Sequence, residues 1–201
     1  MAKYLVNGFT FNMREDTEDK GIIDHIFKEN RYHFPDDMKG VTVLDIGGQI
    51  GSASVYCALR GAKVIAFEPY KPNFDLLVEN TKGLDVKCYN FGIGDKGKRE
   101  LFVLNTGAIC LFPQYWDNLV GKPSVIIEVK SIEPYLKKEV YIKMDCEGAE
   151  AEIFPVIERH IDKVKMIFCE IHKDVEYWVG RMSKFYKIEQ FSNCEFKMIR
   201  L

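Results

Sequence analysis

Residues 41–52 read Val41-Thr42-Val43-Leu44-Asp45-Ile46-Gly47-Gly48-Gln49-Ile50-Gly51-Ser52. Val41 to Leu44 is a short β-prone run of the kind carried by a buried strand. The stretch Gly47 to Gly51 is a turn, because glycine reaches backbone conformations closed to other residues. Ser52 to Arg60 follows as a helix, and Lys63 to Phe67 as a second strand. Strand, glycine-rich turn, helix and strand make a parallel βαβ unit. Such glycines also let a ligand approach bare backbone at a helix N-terminus. A dinucleotide fingerprint needs glycine at its first, third and sixth positions. Counting from Gly47, the third is Gln49 and the sixth Ser52, so the spacing supports a pyrophosphate site poorly.

Working outward, Pro72 opens a helix through Phe74, Leu77 and Val78, Gly83 stands where a C-terminal cap is expected, and Val86 to Tyr89 is a strand. Upstream, Lys3 to Met13 predicts a hairpin turning at Asn7-Gly8, and Asp19 to Lys28 a helix with Ile22, Ile23, Ile26 and Phe27 at helical spacing. Residues 94–131 are less regular and read as an insertion on the sheet edge. Alternation resumes with a strand Val140 to Met144, a helix from about Ala149, a strand Val164 to Cys169 and a helix near Val175 to Lys184. Closing strands follow at Ile188 to Phe191 and Phe196 to Ile199. The pattern predicts an α/β fold: a Rossmann-like, doubly wound, mostly parallel sheet with an antiparallel edge strand. A single domain over 1–201 is expected, with hairpin and helix in 1–40 and the core in 41–201.

The 201 residues include 28 Lys plus Arg and 30 Asp plus Glu, a formal charge of -2, so there is no broad basic field of the kind that neutralises nucleic-acid phosphates. Apolar residues at 47% and charged ones at 29% suit a globular chain with a sizeable core. No apolar run reaches the roughly 18 residues of a membrane span, and polar Asn7-Gly8 comes too early for a signal peptide, so a cytoplasmic location is expected. The six cysteines lie far apart without zinc spacing and read as free, mostly buried thiols.

The run from Asp45 to Gly51 matches the acidic-x-Gly-x-x-x-Gly loop of S-adenosylmethionine enzymes. Twenty-three residues after Asp45 the second strand delivers Glu68-Pro69, where a carboxylate can accept hydrogen bonds from ribose hydroxyls. The chain then resembles the FkbM-type family of methyltransferases at several points. Val43 to Gly48 is similar to its first motif, though the family more often has Ala-Asn at Gly48-Gln49. Ala66-Phe67-Glu68-Pro69 with Asn73 to Asn80 resembles the second motif, and Asn90-Phe91-Gly92-Ile93-Gly94-Asp95 the third. The most specific piece, Ile142-Lys143-Met144-Asp145-Cys146-Glu147-Gly148-Ala149-Glu150, is similar to the signature Lys-x-Asp-x-Glu-Gly-Ala-Glu. Phe11 to Arg14 with Thr17, Asp19 and Tyr32, and Phe168 to His172, extend the likeness over about residues 11–172. The resemblance implies a class I methyltransferase with a seven-stranded sheet. It also implies S-adenosylmethionine held near Asp45, Gly47, Gly48, Gln49, Gly51, Glu68, Pro69, Asn90, Phe91 and Asp145. Asp145 is expected to receive the ligand's ammonium group. Pro155 departs from the pattern and is expected to kink or end its helix.

Methyl transfer from a sulfonium is a displacement in line, so the protein chiefly aligns the reactants in a dry cavity, and a hydroxyl acceptor must also lose a proton. Asp145, Glu147, Glu170 and His172 follow strand ends, where ligands bind in such sheets, and are the candidate bases. The same groups suit a divalent cation, but metal-free base catalysis by Glu147, His172 and Asp145 is the preferred reading. Glu147 could instead complement a helix dipole, and His172 could be structural. Arg14 and Asp19 either close over the methionine moiety or are surface charges. Tyr115, Trp116, Tyr177 and Trp178 either line an acceptor site or pack.

The leading expectation is O-methylation of a small metabolite, sugar or glycan. RNA methylation and a non-catalytic binding module are the alternatives; the chain lacks an Asn-Pro-Pro-Tyr-like motif, and its near-neutral charge weighs against nucleic acid. The cofactor fold uses most of the length, so either the acceptor is small or a second subunit, as in a homodimer, helps to enclose it.

Overall fold

The computed structural model describes residues 1–103, the strand Ile109–Cys110 and residues 121–201. Its chain order is β1 (Ala2–Val6), β2 (Phe9–Met13), α1 (Asp19–Phe27), β3 (Thr42–Ile46), α2 (Ser52–Leu59), β4 (Lys63–Phe67), α3 (Lys71–Asn80) and β5 (Val86–Tyr89). There follow β6 (Gly92–Ile93), β7 (Gly97–Val103), β8 (Ile109–Cys110), β9 (Ser124–Lys130), β10 (Val140–Met144), α4 (Glu150–Arg159), β11 (Val164–Glu170), α5 (Val175–Met182), β12 (Tyr186–Gln190) and β13 (Glu195–Arg200).

The central sheet has seven strands in the order β12-β13-β11-β10-β3-β4-β5. Strands β11, β10, β3, β4 and β5 run parallel, whereas β13 is antiparallel to both β11 and β12. The reversed strand is therefore one in from the edge, and the edge strand β12 points the same way as the parallel set. A hairpin places its second strand against β11 because that strand carries the more buried side chains, among them Phe196 and Met198.

Side chains alternate across the sheet with the two-residue period of a strand. Val43, Val64 and Phe168 face one core with α1, α2 and the β1–β2 hairpin, while Leu44, Ile46, Phe67, Ile167 and Cys169 face the other with α4 and α5. Helices thus cover both faces. The hairpin forms its own two-stranded sheet, and its turn residues Asn7 and Gly8 both take positive φ, 46° and 80°, as a tight two-residue turn requires.

Residues 94–131 differ from the expected addition to the main sheet. Strands β6, β9, β7 and β8 form a separate four-stranded sheet, and Leu101, Ile127 and Val129 pack it into the α4 side of the core. Pro155 does not end α4, which runs four residues past it. Burial of Ile153, Phe154, Val156 and Ile157, at about 1.5–3 kcal/mol each, outweighs the roughly 3 kcal/mol that an interior proline costs. Tyr115 and Trp116 lie outside the described residues. Among the described residues no helix is long and apolar enough to cross a membrane, and the five described cysteines are free thiols.

Candidate active site

The sheet order reverses direction between β3 and β10, and ligands of open α/β sheets bind beyond the carboxyl ends of strands at such a point. A cavity of about 530 Å³ opens there. The ends of β3 and β4 line one half with Gly47, Gly48, Gln49, Glu68 and Pro69; the ends of β10 and β11 line the other with Asp145, Glu147, Glu170 and His172.

In the first half the loop after β3 is drawn onto β4. Gly47 and Gly48 N–H both donate to the Phe67 carbonyl, at 3.1 and 3.0 Å. Gly47 sits at φ +79°, and a Cβ there would lie 1.9 Å from the Asp145 carbonyl oxygen, so only glycine lets the loop lie this close to β10. Glu68 is 3% exposed. Its carboxylate accepts the N–H of Gln49 at 2.9 Å and of Tyr70 at 2.8 Å. Burial raises the Glu68 carboxyl to about 7, against the two backbone hydrogen bonds, which favour its charge. Each oxygen keeps a further lone pair for a ligand hydroxyl, so this buried acceptor fits a ribose diol.

Asp45 stands beneath the loop and does not border the cavity. It is 1% exposed, accepts the Ser54 hydroxyl at 2.5 Å and lies 3.3 Å from Lys143 Nζ. Lys143 in turn donates to the Gly47 carbonyl at 2.7 Å. Burial disfavours the Lys143 charge, but Asp45 and Asp145 outweigh it and hold the ammonium above its usual range. Gly51 caps α2 from behind, packed on Leu77 and Thr81. Asn90 donates to the carbonyls of Glu68 and Pro69 at 2.9 and 3.0 Å, and Phe91 belongs to the core. These four residues shape the cavity from outside it.

In the second half the chain leaves β10 through two consecutive left-handed residues, Glu147 at φ +56° and Gly148 at φ +105°. Such a conformation costs a non-glycine residue about 1–3 kcal/mol and marks functional sites. Glu147 does not cap α4, which starts at Glu150 without a side-chain cap; its carboxylate lies 3.6 Å from His172 Nε2. Glu150, 1% exposed, faces His172 Nδ1 at 3.2 Å and so orients the ring. Nε2 then faces Asp145 at 3.9 Å and Glu170 at 3.8 Å, all beyond direct hydrogen-bond reach. Ligand atoms of Asp145, Glu147 and His172 fall within 4.8 Å of one another, so the three groups do converge.

Charge follows from this packing. Burial opposes ionisation of Asp145, yet Lys143, His172 and the Tyr32 hydroxyl at 2.8 Å hold it below the usual carboxylate range. Burial and the Asp145 charge push Glu147 up to about 8. Burial and Asp145 likewise raise Glu170. Burial works against a charged His172, but Glu150, Asp145 and Glu147 raise it to about 9.

The sequence places Tyr32 and Glu150 only within family-like motifs, without a role, and Arg31 not at all. Tyr32 and Arg31 are more than 100 residues from their partners, and no local spacing announces such contacts. Asp19 is buried rather than a surface charge. It holds Arg14 through Nε and Nη2 at 2.9 and 2.8 Å and lies 3.5 Å from Gln49 Nε2. Trp178 stacks on Phe154 in the core and Tyr177 is exposed beside it, away from the cavity.

The methyltransferase FkbM domain matches this chain over residues 45–198. The chain belongs to that family. It is a methyltransferase, and its methyl donor is S-adenosylmethionine. No curated protein matches it in sequence. Among solved structures it is similar to a tRNA (uracil-54, C5)-methyltransferase of Pyrococcus abyssi, at 12% identity and a TM-score of 0.52, with 99% of this chain and 43% of that chain covered. It is also similar to an rRNA methylase of Streptococcus thermophilus, at 13% identity and a TM-score of 0.51, covering 88% and 96%. At such identities the likeness is one of fold, the class I methyltransferase sheet.

Proposed function

We propose that this FkbM-family methyltransferase modifies a hydroxyl oxygen of a small metabolite, sugar or glycan, with His172 and Glu147 taking the proton. The observation that carries this reading is the His172 ring, oriented through Nδ1 by buried Glu150 and presenting Nε2 to a space walled by Glu147, Asp145 and Glu170. Bound S-adenosylmethionine supplies an electrophilic methyl group on a cationic sulfur. Glu68 accepts the ribose hydroxyls, Gly47 and Gly48 let the ligand approach bare backbone, and Asp145, kept ionised, receives the ammonium group. Phe67, Ile93 and Leu101 add apolar surface to the cavity wall. A proton leaving the acceptor oxygen passes to Nε2 or to Glu147, which titrate as an interacting pair.

At neutral pH that pair is protonated, His172 as a cation and Glu147 as an acid. Transfer of labelled methyl from S-adenosylmethionine to a hydroxyl acceptor therefore rises between about pH 7 and 9. Stability moves the other way. The His172 contribution is complete below its ordinary 6.5 and lost by about 9, and the cost of ionising Glu147 grows from its ordinary 4.5 to about 8. Tm accordingly falls over the interval in which activity rises. A rate that is flat or falls across it removes this pair as the base.

A further inference from the structure

Beyond the cavity wall, the carboxyl end of the sheet carries a second feature. Phe191, in the turn after β12, donates its N–H to the Glu195 carbonyl at 2.9 Å, and Glu195 pairs across β13 and β11 with Glu170. Phe191, Glu195 and Glu170 thus stand in a row, with Phe191 about two strand spacings, about 10 Å, from the cavity wall. Arg31 bridges the row, donating Nε to Glu195 and Nη2 to Glu170. Two residues on, His33, held at φ +53°, lays its ring on Phe191 with centroids 3.7 Å apart and planes 20° apart. The pair faces solvent, and Phe191 is 41% exposed. The stacked pair belongs to neither core, and its exposure leaves the outer ring faces open to a ligand.

We propose that His33 and Phe191 form a subsite for the outer sugars of an oligosaccharide acceptor whose reacting hydroxyl lies at His172. The inference rests on the hydroxyl-transfer reading and extends it to a substrate class. A pyranose ring presents a flat C–H face that packs on aromatic carbon, while its hydroxyls donate to carboxylates and accept from guanidinium. Glu170, Glu195 and Arg31, between platform and cavity, offer both kinds of partner. Nucleobases also stack on aromatic rings, but each brings a phosphate. Along this row the one guanidinium is already committed to two carboxylates, so the local charge repels a phosphate chain instead of neutralising it.

The test uses labelled S-adenosylmethionine with the full chain against three probes: a panel of oligosaccharides, the monosaccharide glycosides of the same sugars, and a 20-nucleotide RNA. The wild type prefers an oligosaccharide to its own monosaccharide. Phe191→Ala and His33→Ala each lower kcat/KM for that oligosaccharide about tenfold, leaving the monosaccharide value and the affinity for S-adenosylhomocysteine unchanged; the latter certifies an intact fold. Equal losses on both sugars, or none, overturn the subsite while hydroxyl transfer stands. Methylation of monosaccharides alone does the same. Methyl found only on RNA, or on no probe while S-adenosylhomocysteine still binds, overturns the oligosaccharide acceptor.

Discussion

Gly47→Ala destabilises the fold by about 3 kcal/mol and weakens S-adenosylhomocysteine binding at least tenfold. Two costs combine. The residue occupies φ +79°, where an L side chain loses roughly 1–2 kcal/mol. Its new Cβ would also lie 1.9 Å from the Asp145 carbonyl, a backbone atom that cannot rotate away, and overpacking of this kind costs about 1–3 kcal/mol. Relief requires β3 and β10 to part at the point where Asp145 N–H meets the Ile46 carbonyl at 3.2 Å, which displaces both halves of the cavity. For a chain of this length the loss lowers Tm by about 6–12 °C. Gly48→Ala is the control. Its Cβ would meet the flexible end of Leu77 at 3.3 Å, and its φ lies outside the left-handed region, so it changes stability by less than about 1 kcal/mol. Thermal unfolding of the two variants separates a requirement for glycine at one position from a general sensitivity of the loop.

His172→Ala and Glu147→Gln each slow methyl transfer by about 10²–10⁴-fold, the usual worth of a positioned acid or base, with S-adenosylhomocysteine affinity within a few-fold of wild type. The effect falls on kcat because both groups stand in the half of the cavity away from Gly47, Gly48, Gln49 and Glu68. His172→Ala also leaves Glu150, 1% exposed, without its imidazole partner, so a stability loss of a few kcal/mol accompanies it. Glu147→Gln carries no such penalty: it keeps the volume, and Glu147 is already neutral in the folded chain at pH 7. A Glu147→Gln enzyme that is stable, binds S-adenosylhomocysteine and turns over at the wild-type rate removes Glu147 from the reaction.

The core of the fold is legible in the sequence because parallel strands buried on both faces are short apolar runs. Lys63–Phe67 and Val140–Met144 coincide residue for residue with such runs, and the edge strand Val86–Tyr89 is found by its place after α3. Less legible is which strand a closing hairpin sets against the sheet, since Tyr186–Gln190 and Glu195–Arg200 are similar in length and pattern; long-range burial decides it. The separate sheet around Gly97–Val103 escapes for the same reason: its pairing with Ser124–Lys130 is across the chain. In the site, glycines and carboxylates at strand ends can be placed by topology alone. Arg31, Tyr32 and the orienting contact of Glu150 cannot, because each acts through a partner distant in sequence or hidden behind another residue. Asp45 marks the right loop for a different reason than the motif suggests, as it neutralises Lys143 in the cavity wall without bordering the cavity itself.

The central claim is that the cavity between β3, β4 and β10 holds S-adenosylmethionine with its ribose on Glu68. Calorimetric titration of S-adenosylhomocysteine into the wild type and Glu68→Ala tests it most directly. In titrations at about pH 8.5, where Glu68 is ionised, saturable binding to the wild type is expected, weakened about 100-fold in the variant, since two hydrogen bonds to a charged carboxylate contribute about 3 kcal/mol together. No binding to the wild type at millimolar ligand, or equal affinity in the two proteins, contradicts it.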